Sequence, residues 1–457
     1  MISEVRNNIL TETKRKKEEE PHESAVLLVI AFLLAVAYNY YGENMFSAAG
    51  FDFYMFLPIA AGAVLICLAV FLVSPRLARM KVLWEQMWIL LLPLLFPFVW
   101  SFMIWILNSA NLLELRKGVI TTAYLASGIV MMAAIAYLAG EKASWLHLLS
   151  LVVSNAATMV RVMLDGGVVE FFRQLWALLS TLAQETGELM ARLEIHGITY
   201  ALGCYLVYFA VETRHIRRKK ILFLLTLFFF FTGLKRIALA GVLLAAVVGL
   251  FWRKLERFSW LNRFLYRLAG VVFLVMALAY VGAIFYGLYD LLEQVGINTS
   301  ARADIYDMYK PYYSFSPIFF GNGIGWVEAQ MSIWSETATD LVYNAHCEYL
   351  KQFIELGMAG FLLWCLLRFH LQISHASRRL GYRGGVLAFA MLIYIAATYA
   401  TDTTATQVFI NNAFGSILLS YHLGNREKEK EREMERENRL LSEPLLRAGQ
   451  DVGEETE

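Results

Sequence analysis

The stretch VYNAHCEYLKQFIELGMAGFLLWCLL, residues 342–367, begins polar and ends apolar, and its one histidine, His346, stands where the character changes. A neutral imidazole can take a proton from a hydroxyl, which is the work of a general base. Asn344 reads as the N-cap of the helix that follows. That puts His346 in the first turn, where the positive helix end favours the neutral ring. On such a helix His346 shares a face with Tyr349, Leu350, Phe353 and Gly357, with Glu348 and Glu355 on the other side. Glu355 is expected either to pair with Lys351, four residues before it, or to pack against another helix. A surface histidine capping a helix is the plainer reading, and these residue types alone leave both open.

A second group is cationic. In TGLKRIALAGVLLAAVVGLF, residues 232–251, Lys235 and Arg236 sit between two apolar runs. A charge at the centre of a hydrocarbon layer costs roughly 2.5–3.5 kcal/mol, and less at its edge. Two readings stay open: interface anchors whose heads reach water, or an anion site, because the guanidinium fork fits phosphate oxygens. Arg161, at the end of an apolar run, and Arg302, in NTSARADIY, are candidates to join such a site. Arg302 has an alternative in pairing with Asp304 or Asp307. GNGIGW, residues 321–326, has the glycine content of a nucleotide loop but no preceding strand, and reads as tight turns.

The elements that must position these residues are membrane spans. The chain has 457 residues, 58% of them hydrophobic and 17% charged, which fits a polytopic membrane protein better than soluble domains. The first 23 residues are charged, and the run after them is too long for a signal peptide, so it reads as a retained span. Twelve spans are expected, at 24–41, 53–74, 86–107, 118–139, 145–163, 197–212, 221–234, 237–252, 268–288, 350–367, 385–400 and 406–422. With a cytoplasmic amino terminus the inner connections carry 18 basic residues, Arg368 among them, and the outer ones eight. Both termini are therefore expected inside. Two outer connections are long, 164–196 and 289–345. The first holds apolar residues at 168, 171, 172, 175, 178, 179 and 182, the stripe of an amphipathic helix lying on the interface. The tail, 424–457, alternates charges as a solvated helix does.

Sidedness prunes the chemistry. Of eight histidines, only His196 and His346 are expected to face out. The four cysteines, Cys67, Cys204, Cys347 and Cys365, show no metal or disulfide spacing. No cofactor, no bound metal and no nucleic acid partner is expected. A transporter is the competing class, and it calls for charges near the middle of the spans. Here the charges gather at the span ends, which favours an enzyme.

An outer Lys-Arg opening a span, then SAR and DIY, then FFGNGIGW, then NAHCEYLKQFIELGMAGFLLW resembles the O-antigen ligase and O-antigen polymerase superfamily. The resemblance covers about 225–364, roughly a third of the chain. The family commonly has His-Asn where this chain has His346-Cys347, and Ser where it has Lys235. The resemblance implies an all-α, C-type glycosyltransferase-like domain over 24–423, with its large outer loop between helices nine and ten. It implies an inverting, metal-independent transfer at the outer face of a bacterial cytoplasmic membrane. The donor would be a glycan on undecaprenyl pyrophosphate, and the acceptor a glycan or a lipid-linked repeat, among membrane lipids. His346 would deprotonate the acceptor, while Arg236 and Arg302, with Arg161 and Lys235, would hold the pyrophosphate. Tyr349, Glu355 and Asp402, the last in the short TDTTAT turn, are candidates for support.

Overall fold

The computed structural model of the chain describes residues 24–46, 56–181, 196–212, 218–233, 235–257, 259–296, 299, 302–337 and 345–451. In hydrocarbon each backbone donor and acceptor must be satisfied within the protein, so apolar runs become helices. The first half of the chain forms α1 (Ala25–Phe46), α2 (Phe56–Val73), α3 (Leu77–Asn108), α4 (Leu112–Ala139), α5 (Ala143–Gly166), α6 (Val168–Thr181), α7 (His196–Val211) and α8 (Lys219–Thr232). The second half forms α9 (Arg236–Arg253), α10 (Ser259–Phe285), α11 (Leu288–Gln294), α12 (Arg302–Tyr309), α13 (Trp326–Thr337), α14 (Glu348–Cys365), α15 (Gln372–Arg379), α16 (Gly381–Tyr399) and α17 (Val408–Asp451). The charged tail continues α17 as helix to Asp451. The expected cytoplasmic segment 1–23 lies outside the described residues, as do residues 182–195 of the first long loop.

Among the described residues, eight helical stretches are long and apolar enough to cross a membrane, against the twelve expected. Leu112–Gly166 runs as one 55-residue stretch through a tight turn, so it carries two of the expected spans. α8 has 14 residues, about 21 Å of helix, where a hydrocarbon core is roughly 30 Å thick. α7 is also short, and it is enclosed by protein: Ile198, Tyr200, Ala201, Cys204 and Val207 are all fully buried. It packs against α8, α9, α16 and α17 as a central strut. The start of α17 is less apolar, because it carries Asn411, Asn412, Ser416 and His422, all of them buried. The amphipathic segment is α6, which turns Phe171 and Leu175 to the protein while Val169, Phe172 and Trp176 stay exposed.

The largest departure concerns the expected span 350–367. Its helix breaks at Gly357, which has φ 68° and ψ −178°, and then runs on through a π-helical turn, Leu366–Leu371, into α15. Arg368 is therefore not in an inner connection. It lies within the bundle, 2% exposed, with Nε donating to Tyr399 Oη (3.0 Å) and Nη2 to Asn411 Oδ1 (2.8 Å). Nearby Phe369 stacks on Phe273, halfway along α10.

The break leaves backbone groups without helical partners, and the 319–325 segment, most of it from GNGIGW, supplies them. Met358 N donates to Phe319 O (2.9 Å), Asn322 N to Ile354 O (3.0 Å) and Gly323 N to Glu355 O (2.8 Å). Trp100 Nε1 on α3 takes Leu356 O at 2.9 Å. Ile324 N donates to Ser101 Oγ (2.7 Å), and Asn108 Nδ2 to Gly321 O (3.2 Å). The glycine-rich segment is thus a loop threaded into the bundle between α3 and α14, rather than surface turns alone. Non-helical backbone is tolerated there because protein satisfies it.

Gly357 and Gly321 meet back to back. A Cβ on Gly357 would lie 2.3 Å from the Phe320 carbonyl carbon, and one on Gly321 would lie 2.5 Å from Gly357 N. Gly357→Ala should cost about 1–3 kcal/mol for the left-handed backbone alone, with the backbone clash added. Gly62→Ala, where a Cβ meets nothing within 4 Å, should be close to neutral. Thermal unfolding of the purified variants in one detergent compares the two, and equal midpoints would mean that the threaded loop does not hold the fold.

Candidate active site

His346 does not sit in a helix. The helix starts two residues later, with Cys347 as its N-cap, whose Sγ accepts from Leu350 N (3.4 Å). Asn344, expected as the cap, lies outside the described residues. His346 has φ 48°, the left-handed region that a residue with a Cβ enters at a cost. Its carbonyl accepts from Tyr306 Oη on α12 (3.2 Å), which holds the turn. The face expected to group His346 with Tyr349, Leu350, Phe353 and Gly357 is therefore replaced by a separate turn above the helix.

Two acidic side chains anchor that turn and the helix below it. Glu348 is fully buried. Its Oε2 accepts from Ala405 N (3.0 Å) and its Oε1 from Gln352 Nε2 (2.8 Å), which ties the 400–407 turn to the start of α14. Glu355, also fully buried, does not pair with Lys351. Its Oε1 accepts from Gly325 N (2.9 Å) and Val327 N (3.2 Å), so it caps the positive end of α13. Lys351 pairs instead with Glu328 of α13. Tyr349 fastens the same helix sideways, with its hydroxyl donating to Ala396 O of α16 (3.0 Å).

The 400–405 turn is the second wall. Asp402 is nearly buried. Its Oδ2 accepts from Tyr200 Oη of the central strut (2.7 Å) and its Oδ1 from Thr403 N (2.9 Å). Arg302, at the first position of α12, donates through Nη2 to Thr401 O (3.2 Å), and its buried Nε has no partner among the described residues. The expected alternative for Arg302 does not occur at Asp307, which takes Lys310 (2.9 Å).

These segments converge electrostatically on His346. Burial pushes its pKa below the ordinary 6.5; the Asp402 carboxylate works to raise it, and Arg302 and then Lys235 lower it further. The ring is held neutral by desolvation and by two cations, with one anion opposing them. Desolvation, and not a helix end, is the leading cause. Lys235 is half-buried at the N-cap of α9, and Arg236 follows it, exposed. Arg161 is not drawn in: it is exposed and faces Asp165 at 3.9 Å, one turn on along α5. His196 opens α7. Among the described residues no group of His, Cys, Asp or Glu side chains is placed to hold a metal ion.

A groove of about 690 Å³ starts beside this cluster. It runs between α9, α10 and α16, from Tyr280, Tyr349 and Ala400 at one end to Leu265 and Trp252 at the other. Leu265 to Tyr280 along α10 is about 22 Å. The walls are almost wholly apolar, and Leu244, Val272 and Met276 are exposed along its open side. Tyr280 marks the junction, its hydroxyl donating to Ala400 O (2.7 Å) and lying 2.7 Å from Tyr289 Oη.

Sequence reasoning reached His346, Arg302, Lys235 and Asp402 but missed Glu348, Tyr200 and Tyr306. Glu348 stood in the same quoted stretch, yet nothing in its neighbours marks it as buried. Tyr200 and Tyr306 reach the site from helices far away in the chain.

Residues 221–365, about a third of the chain, match the family model described as O-antigen ligase. No curated protein matches the chain. The matched segment includes Lys235, Arg302, the glycine-rich loop and His346, and stops before the Asp402 turn.

The electrostatics predict how His346 titrates. The ring should lose its proton below 6.5, so that it is neutral at pH 7. Asp402→Asn removes the anion that favours the charged ring and should move the titration to lower pH. Arg302→Gln removes a cation and should move it to higher pH. Histidine NMR of isotope-labelled protein in detergent reads both shifts. A wild-type ring titrating at or above 6.5 would contradict burial as the dominant influence.

Proposed function

We propose that this chain, with its O-antigen ligase domain at residues 221–365, transfers a glycan from an undecaprenyl-pyrophosphate carrier to an acceptor hydroxyl at the outer membrane face. The observation that carries this reading is one juxtaposition: a neutral imidazole beside two cations, at the head of an apolar groove. A pyrophosphate on an isoprenoid chain needs both parts. The groove takes the first isoprene units, and Arg302 and Lys235 meet the phosphate oxygens, with Arg236 beside them at the start of α9.

The chemistry follows from the charges. The acceptor hydroxyl gives its proton to His346 as its oxygen bonds to the anomeric carbon. The bond from that carbon to the pyrophosphate oxygen breaks, and the lipid pyrophosphate leaves with the electron pair. Negative charge grows on the leaving oxygens, where fixed cations stabilise the transition state more than the ground state. Asp402, next to the ring, stabilises the imidazolium that results. One displacement from the face opposite the leaving group inverts the anomeric centre. No step in this scheme calls on a metal. The sidedness rests on the excess of basic residues in the inner connections.

The competing reading, a transporter of the same lipid-linked glycans, would use a charge inside the bundle, and Arg368 is one. Its contacts to Tyr399, Asn411 and the Phe414 ring hold it as a packed structural group, which favours the enzyme.

His346→Asn is the sharper test of the base, because Asn tolerates the left-handed backbone better than Ala does. Purified protein in detergent, with an undecaprenyl-pyrophosphate-linked repeat as donor, should lose about 10²–10⁴-fold in transfer rate on this substitution and keep its unfolding midpoint. Full activity of His346→Asn would remove the base from the scheme. Arg302→Lys should also lose activity, because an ammonium lacks the bidentate fork; normal turnover would show that Arg302 does not clamp phosphate. For sidedness, a cysteine placed at position 332 of a cysteine-free variant should be labelled from outside intact cells. Labelling only after permeabilisation would put the site on the wrong face.

A further inference from the structure

The helix that begins with Arg302 ends with Tyr309, roughly 10 Å further along its axis, and there it meets a group of aromatic rings that the transfer chemistry does not use. Tyr309 and Tyr312 from one side each contact Trp326 and Trp334 of α13. Tyr309 lies 6.4 and 5.0 Å from the two tryptophans, and Tyr312 lies 5.2 and 6.2 Å from them. The rings are tilted by 48–56° to one another, so they pack as an aromatic platform, a shallow cradle open on the side of Tyr312, and not a flat stack. Tyr309 is fully buried as its floor, while Tyr312 is 44% exposed and Trp334 half-buried.

The rim is polar. Lys310, two residues before Tyr312, forms a partly exposed ion pair with Asp307, and Asn322 Nδ2 donates to Tyr312 O (3.1 Å). An exposed pair of this kind contributes little to stability and is easily exchanged for other hydrogen bonds. Aromatic faces ringed by donors and acceptors fit a ligand with apolar C–H faces and hydroxyl edges, which describes a pyranose. A membrane-interface anchor also uses Trp and Tyr, but it does not explain a cradle packed ring against ring and rimmed by both signs of charge. The position supports the sugar reading too, because the same short helix presents Arg302 at one end and the cradle at the other.

We infer that Tyr312 and Trp334, supported by Tyr309 and Trp326, form a sugar-stacking subsite that holds the glycan chain one short oligosaccharide away from His346. This subsite sets how much of the repeat the protein grips. It rests on the proposed glycan transfer, but its test does not read transfer. The probe is a set of one-, two- and three-repeat oligosaccharides, cut from the surface polysaccharide of the source cell, titrated calorimetrically into the full-length protein in detergent. Tyr312→Ala and Trp334→Ala should each weaken binding about tenfold, and Tyr312→Phe should stay within about twofold of wild type, because the ring and not the hydroxyl stacks. The unfolding midpoint and the His346 titration monitor the integrity of each variant. Wild-type affinity in both Ala variants would overturn the subsite. If those variants instead become easier to extract from membranes, the rings are interface anchors and the subsite is again overturned. Weakened binding in a protein that transfers no glycan would keep the subsite and refute the transfer reading; transfer with unaltered affinities would do the reverse.

Discussion

The break at Gly357 and the loop that heals it are the constraint on which the site depends. A helix interrupted inside a bundle exposes carbonyls and amides that hydrocarbon cannot satisfy. Here the 319–325 backbone supplies those partners, and in doing so it fixes the start of α13, whose first amides are taken by Glu355. One loop thus couples three things: the segment of α14 that follows His346, the short helix α13, and the adjoining ends of α3 and α4. Only glycine can stand where Gly321 and Gly357 touch, so the junction tolerates very little change. The reward is rigidity at the start of α14, where a loose loop would otherwise carry the imidazole.

On that foundation the site balances its charges. Removing His346 from water disfavours its charged form, and the neighbouring cations add to the effect, while Asp402 holds it back. The arrangement suits the base proposed above, which must be neutral before it accepts a proton and stabilised after. Asp402 is itself oriented by Tyr200 of the central strut, so the buried strut holds an anion in place near the proposed base. Glu348 works in the same manner on the backbone, pinning the Asp402 turn to the helix below the histidine.

Much of this could be read from residue types, and what could not has a common cause. The apolar runs announce helices, and the O-antigen ligase resemblance lies where the family model matches. His346, Arg302, Lys235 and Asp402 were reached as candidates and do converge, whereas Arg161, chosen by the same reasoning, stays with Asp165. Spacing along one helix left one choice open and misled once. Lys351 and Glu355 stand at the right separation for a pair, yet each finds a better partner on α13, because a buried carboxylate goes to the amides that a helix start leaves open. The ring was assigned to a helical face, but the chain bends before the helix begins. A glycine among apolar residues also does not reveal whether the helix continues through it, so the break, and the helix running on to Arg379, emerged only from the three-dimensional packing.

Arg368 bears on how the protein is made. Beyond Gln372 one turn on, its partners Tyr399 and Asn411 follow it by 31 and 43 residues, so when the segment around it first reaches the membrane neither of these two has yet been inserted. A lone guanidinium in that position is disfavoured by roughly 2.5–3.5 kcal/mol on insertion scales. The segment must therefore wait at the edge of the lipid, or cross with its charge reaching toward water, until α16 and α17 arrive and close around it. The last two helices act as late-arriving clamps. A chain cut short before them would carry the complete family-matched block and still leave this arginine without the groups that let it settle.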